Sequence, residues 1–161
     1  MWQSVCHGLV RTKPVIDWNI PFYKSEHENN MTDLRQFKDQ EFLSLETFRK
    51  NGIGVKTPIW FAQEGDILYM WTVGDAGKIK RIRNNPRVNI APCKRFGEVT
   101  GEWTAAQASV DDSAAAVRHV ETLLGRKLGF VFTMFRLIDG LRDRWRGSHR
   151  VCVKVSLIQN G

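Results

Sequence analysis

A chain of 161 residues that is 42% hydrophobic, with nine Phe and six Trp, has the size and apolar content of one folded domain and is not a disordered sequence. Its net charge of +7 and pI near 9.6 ask for an anionic partner: nucleic acid, a membrane surface or a phosphorylated small molecule. Three widely spaced cysteines (Cys6, Cys93, Cys152) imply no disulfide framework, and neither they nor His7, His27, His119 and His149 show metal-ligand spacing.

No stretch approaches the roughly 20 apolar residues of a membrane helix. The N-terminus lacks the apolar run and small-residue cleavage site of a secretory signal. The expectation is a cytoplasmic protein with no membrane partner. Residues 1–30 mix Trp2, Trp18, Pro14 and Pro21 with a polar close, SEHENN, and show no sustained periodicity. They are expected to be an irregular extension ahead of a domain spanning 31–161. The rival reading is an arm that packs on a partner subunit through its Trp side chains and Phe22.

From Thr32, TDLRQFKDQ predicts one short helix capped by Thr32 or Asp33. EFLSLETF alternates as a strand with Leu43, Leu45 and Thr47 on one face, and Asn51-Gly52 marks a tight turn. VKTPIWFA follows as a second strand, in which Pro58 argues for an edge, a bulge or a ligand in place of a neighbouring strand. Gln63 to Asp66 turns the chain into a third strand, ILYMWTV, completing a meander. A short basic helix comes next, with Ile79 and Ile82 on one face. Arg87–Pro92 and Val99–Val110 read as strands, the latter with Val99, Gly101, Trp103 and Ala105 on one face. Asp111-Asp112-Ser113 caps a helix of good formers, AAAVRHVETLLGRK. Phe130–Trp145 is a second helical stretch, apolar at Val131, Met134, Phe135, Ile138 and Leu141. The chain closes on a strand with Val151, Val153 and Val155 on one face. About six antiparallel strands with helices between and after them predict a β-barrel with peripheral helices.

The chemistry concentrates between the third strand and the fourth. Between Ala76 and Arg95 there are seven Lys or Arg and no carboxylate. A strand that delivers the chain through Gly74 and Gly77 into a lysine-bearing helix is suited to a phosphate. Free N–H groups point out of the helix start, its dipole favours an anion, and Lys78 adds a full charge. It is not a P-loop, because the GxxxxGK[ST] spacing is missing and Ile79 follows Lys78. A solvated basic helix face is the plain alternative. A nucleic-acid patch using Trp71 and Phe96 as stacking surfaces is a third, which no RNP or helix-turn-helix pattern supports. Trp60 and Trp71, on neighbouring strands, either wall a planar ring or serve as packing. No paired carboxylates, Ser-His-Asp set or Cys-His set emerges, which a cofactor-dependent hydride-transfer enzyme tolerates.

The succession FLSLETFRKNGIGVKTPIWFAQEGDILYMWT, then GKIKRIRNNPRVNIAPC, then a Gly-Glu-Trp strand, resembles the pyridoxamine 5'-phosphate oxidase-like (PPOX-class) split-barrel superfamily. Within it the chain is similar to the branch of deazaflavin (coenzyme F420)-dependent oxidoreductases, over about Leu34 to Leu157. The two most specific pieces are V-x-T-P-x-W-F and K-x-K-R-[IL]-R-x-[ND]-P-R-V.

The resemblance implies a six-stranded antiparallel split β-barrel that forms a homodimer, with cofactor sites at the subunit interface. It implies a phosphorylated flavin-type cofactor, coenzyme F420 or FMN, with its phosphate held by Thr72, Gly77, Lys78 and Arg81, beside Trp71. The ring would lie along Val55, Lys56, Thr57 and Pro58, with Ala91 and Pro92 lining the same cavity. The implied activity is hydride transfer to or from a planar, electrophilic small molecule, with no nucleic-acid partner. A non-enzymatic flavin or tetrapyrrole carrier on the same barrel is the alternative. The chain departs from pyridoxamine 5'-phosphate oxidase proper: VKTPIWF replaces that enzyme's Arg-x-Val-Leu-Leu-Lys-type strand, and its C-terminal substrate-binding arginine and histidine pattern is missing.

Overall fold

The computed structural model describes residues 34–146 and 149–158, so the expectation of an irregular extension over 1–30 lies outside the described residues. Six strands form: β1 (Phe42–Phe48), β2 (Gly54–Glu64), β3 (Ile67–Val73), β4 (Arg87–Cys93), β5 (Thr104–Asp111) and β6 (Arg150–Leu157). They pair in the order β1-β2-β3-β6-β5-β4, all antiparallel, and β4 returns to β1 to close a barrel. Both turns of the opening meander use glycine in the left-handed region, Gly52 at φ 81° and Gly65 at φ 59°, where a Cβ would be strained. Three helices join the strands: α1 (Gly77–Asn84), α2 (Ala114–Leu128) and α3 (Phe130–Arg146).

Period-two alternation decides which side chains fill the barrel. Leu43 lies between Ile59 and Pro92, Leu45 between Thr57 and Ile90, and Thr47 between Val55 and Val88. Across the barrel, Val151, Val153 and Val155 of β6 meet Thr72, Met70 and Leu68 of β3. The two ends are plugged differently. At the Thr47 end, α1 buries Ile79 and Ile82, each contributing about 1.5–3 kcal/mol through loss of apolar surface. At the other end, Phe37 sits edge-on to Phe61 with ring centroids 5.9 Å apart. Phe37 comes from a single 3-10 turn, Leu34–Phe37, in place of the expected helix.

Outside the barrel, α2 lays Ala116, Val120 and Leu124 over Ala62, Trp71 and Cys152. Ser113 caps it, its Oγ accepting from Ala116 N–H at 3.2 Å. After Gly129, α3 is pinned by Arg136 to Glu121 of α2 (2.9 Å) and by Asp139 to Arg150 of β6. Its buried phenylalanine is Phe132, whereas Val131, Met134, Leu137 and Ile138 are exposed.

One strand differs from expectation. β5 begins at Thr104, and its inward positions are Thr104, Ala106 and Ala108, so Trp103 and Ala105 face the other way. Val99 makes only an isolated bridge to Cys93. Adjacent alanines at 105 and 106 give alternation no preference, and the wall opposite selects Ala106, which pairs with Val88 and Leu157.

Candidate functional site

The strand β2 is longer than its neighbour needs. Only Phe61–Glu64 pair with β3, while Gly54–Trp60 pair with β1 alone. Beyond Met70, the residues Trp71, Thr72 and Val73 turn their ladder to β6. The barrel is therefore split between the first half of β2 and the end of β3. Phe61 N–H donates to the Glu41 carbonyl on the β1 side, at 3.4 Å. Alternation then directs the backbone groups of Gly54, Lys56, Pro58 and Trp60 into the seam. Pro58 thus lacks its N–H on the one edge where, among the described residues, no ladder exists to need it.

At the Thr47 end of the barrel stands α1. Its first turn holds no acidic residue, and Ala76 at the N-cap supplies no side-chain hydrogen bond. The helix start keeps its N–H groups uncapped by side chains, which leaves them for an anion. Arg81 folds back over this start. Its Nε donates to Thr47 Oγ1 at 2.8 Å, and a Cβ added at Gly77 would lie 3.0 Å from a terminal guanidinium nitrogen. Thr47 in turn lies 3.4 Å from the Val55 carbonyl oxygen, which ties the basic turn to β2. Lys78 is half-buried beside Arg81. Burial, and then the Arg81 charge, holds its ammonium below the usual 10.5. Two cations kept close together and partly dry favour an anion between them.

The expected site residues divide into groups. Gly77, Lys78 and Arg81 share the α1 start, and Thr72 is buried at the end of β3, on the same seam as Trp71. On β2, Val55 and Thr57 point into the barrel toward Thr47 and Leu45, whereas Lys56 and Pro58 point outward. The Lys56 ammonium sits 4.6 Å from the Trp103 ring centroid. Ala91 and Pro92 lie on β4, across β1 from the seam, and both are buried in the wall.

Sequence reasoning did not foresee several contacts around the seam and the basic turn. Thr47 appeared only as an inward strand position, and nothing local marks it as the acceptor for a residue 34 positions away. His149 is an exposed packing residue: its ring rests over Gly74, leaving no room for a Cβ there, and its carbonyl accepts from Gly74 N–H at 2.9 Å. The pair Phe132 and Phe135 spans Trp60 and Trp71. Burial pushes the thiols of both described cysteines up, Cys152 to about 11, which disfavours the thiolate. Among the described residues no cluster of three metal-ligating side chains forms, and no helix is long and apolar enough to cross a membrane.

No family model and no curated protein matches the chain. Solved structures do. A conserved hypothetical protein of Mycobacterium tuberculosis, Rv2991, is similar at TM-score 0.56 and 15% identity, over 78% of each chain. HutZ, described as the heme storage protein of Vibrio cholerae, is similar at TM-score 0.55 and 19% identity, over 78% of this chain and 87% of that one. A protein described as an F420 reductase is similar at TM-score 0.51 and 13% identity, covering 80% and 95%. At such identities the likeness concerns architecture, and with the seam and closure described above it makes this chain a six-stranded split β-barrel.

Proposed function

We propose that this protein is an oxidoreductase that holds a phosphorylated flavin-type cofactor, coenzyme F420 or FMN, in the seam. The observation that carries the proposal is the uncapped start of α1, flanked by a half-buried Lys78 and a Thr47-anchored Arg81, at the foot of an unpaired strand edge. Lys78, Arg81 and the Gly77 amide would take the phosphate, with Thr72 beside them. The seam-facing backbone of Lys56 and Pro58 would order the ring, with Val55 and Thr57 shaping the wall behind it. When bound, such a cofactor supplies the hydride chemistry. The chain's own part is to neutralise the phosphate, orient the ring and keep water from the strand edge. A small planar electrophile is the fitting substrate.

The same reading makes the protein a homodimer with its sites between subunits. It is supported by large apolar side chains left exposed on one subunit: Phe96, Phe130, Val131, Leu137 and Ile138. The likeness to an F420 reductase fits the enzyme reading. The likeness to a heme storage protein favours a second one, in which the barrel carries a flavin or tetrapyrrole without turning it over.

Absorption titrations of the purified protein with FMN and with coenzyme F420 test the proposal. Saturable spectral shifts with one of them, followed by steady oxidation of its reduced form by a quinone acceptor, support the enzyme. Stoichiometric binding without turnover supports the carrier, and binding of neither defeats both. Sedimentation of the full chain tests the dimer.

A further inference from the structure

We infer that the outer face of α3 is a docking surface for an anionic membrane, on which the helix lies flat in the headgroup layer without crossing it. The inference is independent of what the seam holds.

Helical spacing gives α3 two working sides. Phe132, Phe135 and Asp139, three and four residues apart, form the inner one. The two phenylalanines pack on Trp60 and Trp71, and Asp139 is bound to Arg150 of β6. The outer side carries Phe130, Met134 and Leu137, with Val131 and Ile138 beside them. All five are exposed, Phe130 the most at 77%. In the sequence the same spacing runs on to Leu141 and Trp145. A helix apolar on two sides needs a cover on both, and the barrel covers only the inner one.

Charge says what the second cover is. The Arg136–Glu121 pair, reaching across Gly129, folds α3 back along α2. Residues 114–150, which contain this hairpin, hold eight Lys or Arg and three Asp or Glu, whereas the rest of the chain holds 16 and 14. Five of the seven net positive charges therefore sit here. Two of the three carboxylates, Glu121 and Asp139, are already bound to arginines, while Arg118 and Arg126 of α2 are exposed.

An apolar stripe in a basic setting suits a bilayer with anionic headgroups. The side chains enter the boundary between headgroup and acyl chain, and the cations meet lipid phosphates. With 17 residues α3 is about 25 Å long, and it lies along that surface. A second copy seated on the stripe would bring two basic hairpins together, so the charge that favours lipid opposes that occupant. A subunit contact needs apolar surface but not this basic setting. Phe96, between β4 and β5 and off the helix, stays available to it.

The test is co-sedimentation of the full chain with two kinds of vesicle: phosphatidylglycerol and phosphatidylcholine in equal parts, and phosphatidylcholine alone. Wild type is expected to bind the first, to leave it as salt rises to about 0.5 M, and to bind the second about tenfold more weakly or less. Leu137→Ser combined with Ile138→Ser removes the middle of the stripe and should weaken binding to anionic vesicles about tenfold or more. Both side chains are exposed, so the melting temperature should hold; Phe130→Ser, at the helix start, repeats the test at a second place. No binding by wild type, equal binding to both vesicles, or full binding by these variants overturns the inference. So does sedimentation without lipid in which the double variant turns a wild-type dimer into monomers, which assigns the stripe to a second copy. Titrations of the same variants with FMN and coenzyme F420 should match wild type, so a failure of the seam reading is seen separately.

Discussion

Lys78→Met is the most informative perturbation of the basic turn, because its two effects have opposite signs. In the protein without ligand, burial and the Arg81 charge hold the Lys78 pKa below 10.5. The unfolded chain therefore binds this proton more tightly than the folded one, and the charged ammonium costs stability at neutral pH. Methionine matches the stem of lysine without the charge, so the ligand-free variant should melt at a higher temperature than wild type. A bound phosphate reverses the balance by giving the ammonium a partner. Removing a charge-assisted hydrogen bond of this kind costs about 1.5–3 kcal/mol, roughly 10- to 150-fold in affinity. Absorption titration with FMN and coenzyme F420, run beside differential scanning calorimetry, reads both effects. Unchanged affinity in Lys78→Met would refute the phosphate assignment. A lowered melting temperature would refute the desolvation argument and leave Lys78 a structural residue.

Cofactor affinity should fall as pH rises through the lowered Lys78 pKa, beginning below 10.5, and Lys78→Arg should carry full affinity to higher pH; binding isotherms across the alkaline range check this. Thr47→Val removes the acceptor that steers Arg81 while filling the same buried volume. It should weaken cofactor binding by about 1 kcal/mol with a much smaller change in melting temperature. Cys93 and Cys152 should resist alkylation at pH 8 in the folded protein and react on denaturation, as followed by site-resolved mass spectrometry, since burial raises both thiol pKa values. Gly101→Ala should destabilise the barrel by about 1–3 kcal/mol in denaturant titration, because its Cβ would come 2.5 Å from the rigid Pro92 ring.

Much of the barrel was legible in the chain because its strands alternate cleanly. Leu43, Leu45 and Thr47 on β1, and Val151, Val153 and Val155 on β6, leave one choice of inward face, and the core takes it. The turns were legible because Gly52 and Gly65 take backbone angles that other residues avoid. The start of β5 was not, since Gly101, Trp103 and a run of alanines satisfy either phase and only the facing β4 chooses. On α3, apolar residues lie on more than one side, so periodicity alone does not say that Phe132 is the one buried.

By itself the sequence determined a strand-rich domain with a proline at an odd strand position, and a glycine turn leading into a cationic helix; these are local properties of spacing and charge. Only the tertiary structure decided that the proline lies on the unpaired stretch of β2, that Arg81 is steered by Thr47 from a distant strand, and that two phenylalanines of α3 fill the gap between Trp60 and Trp71. The physical reason is that an open seam in a barrel is a mismatch between strand lengths and partners. Pairing is a relation between segments far apart in the chain, and no residue within the seam carries it alone.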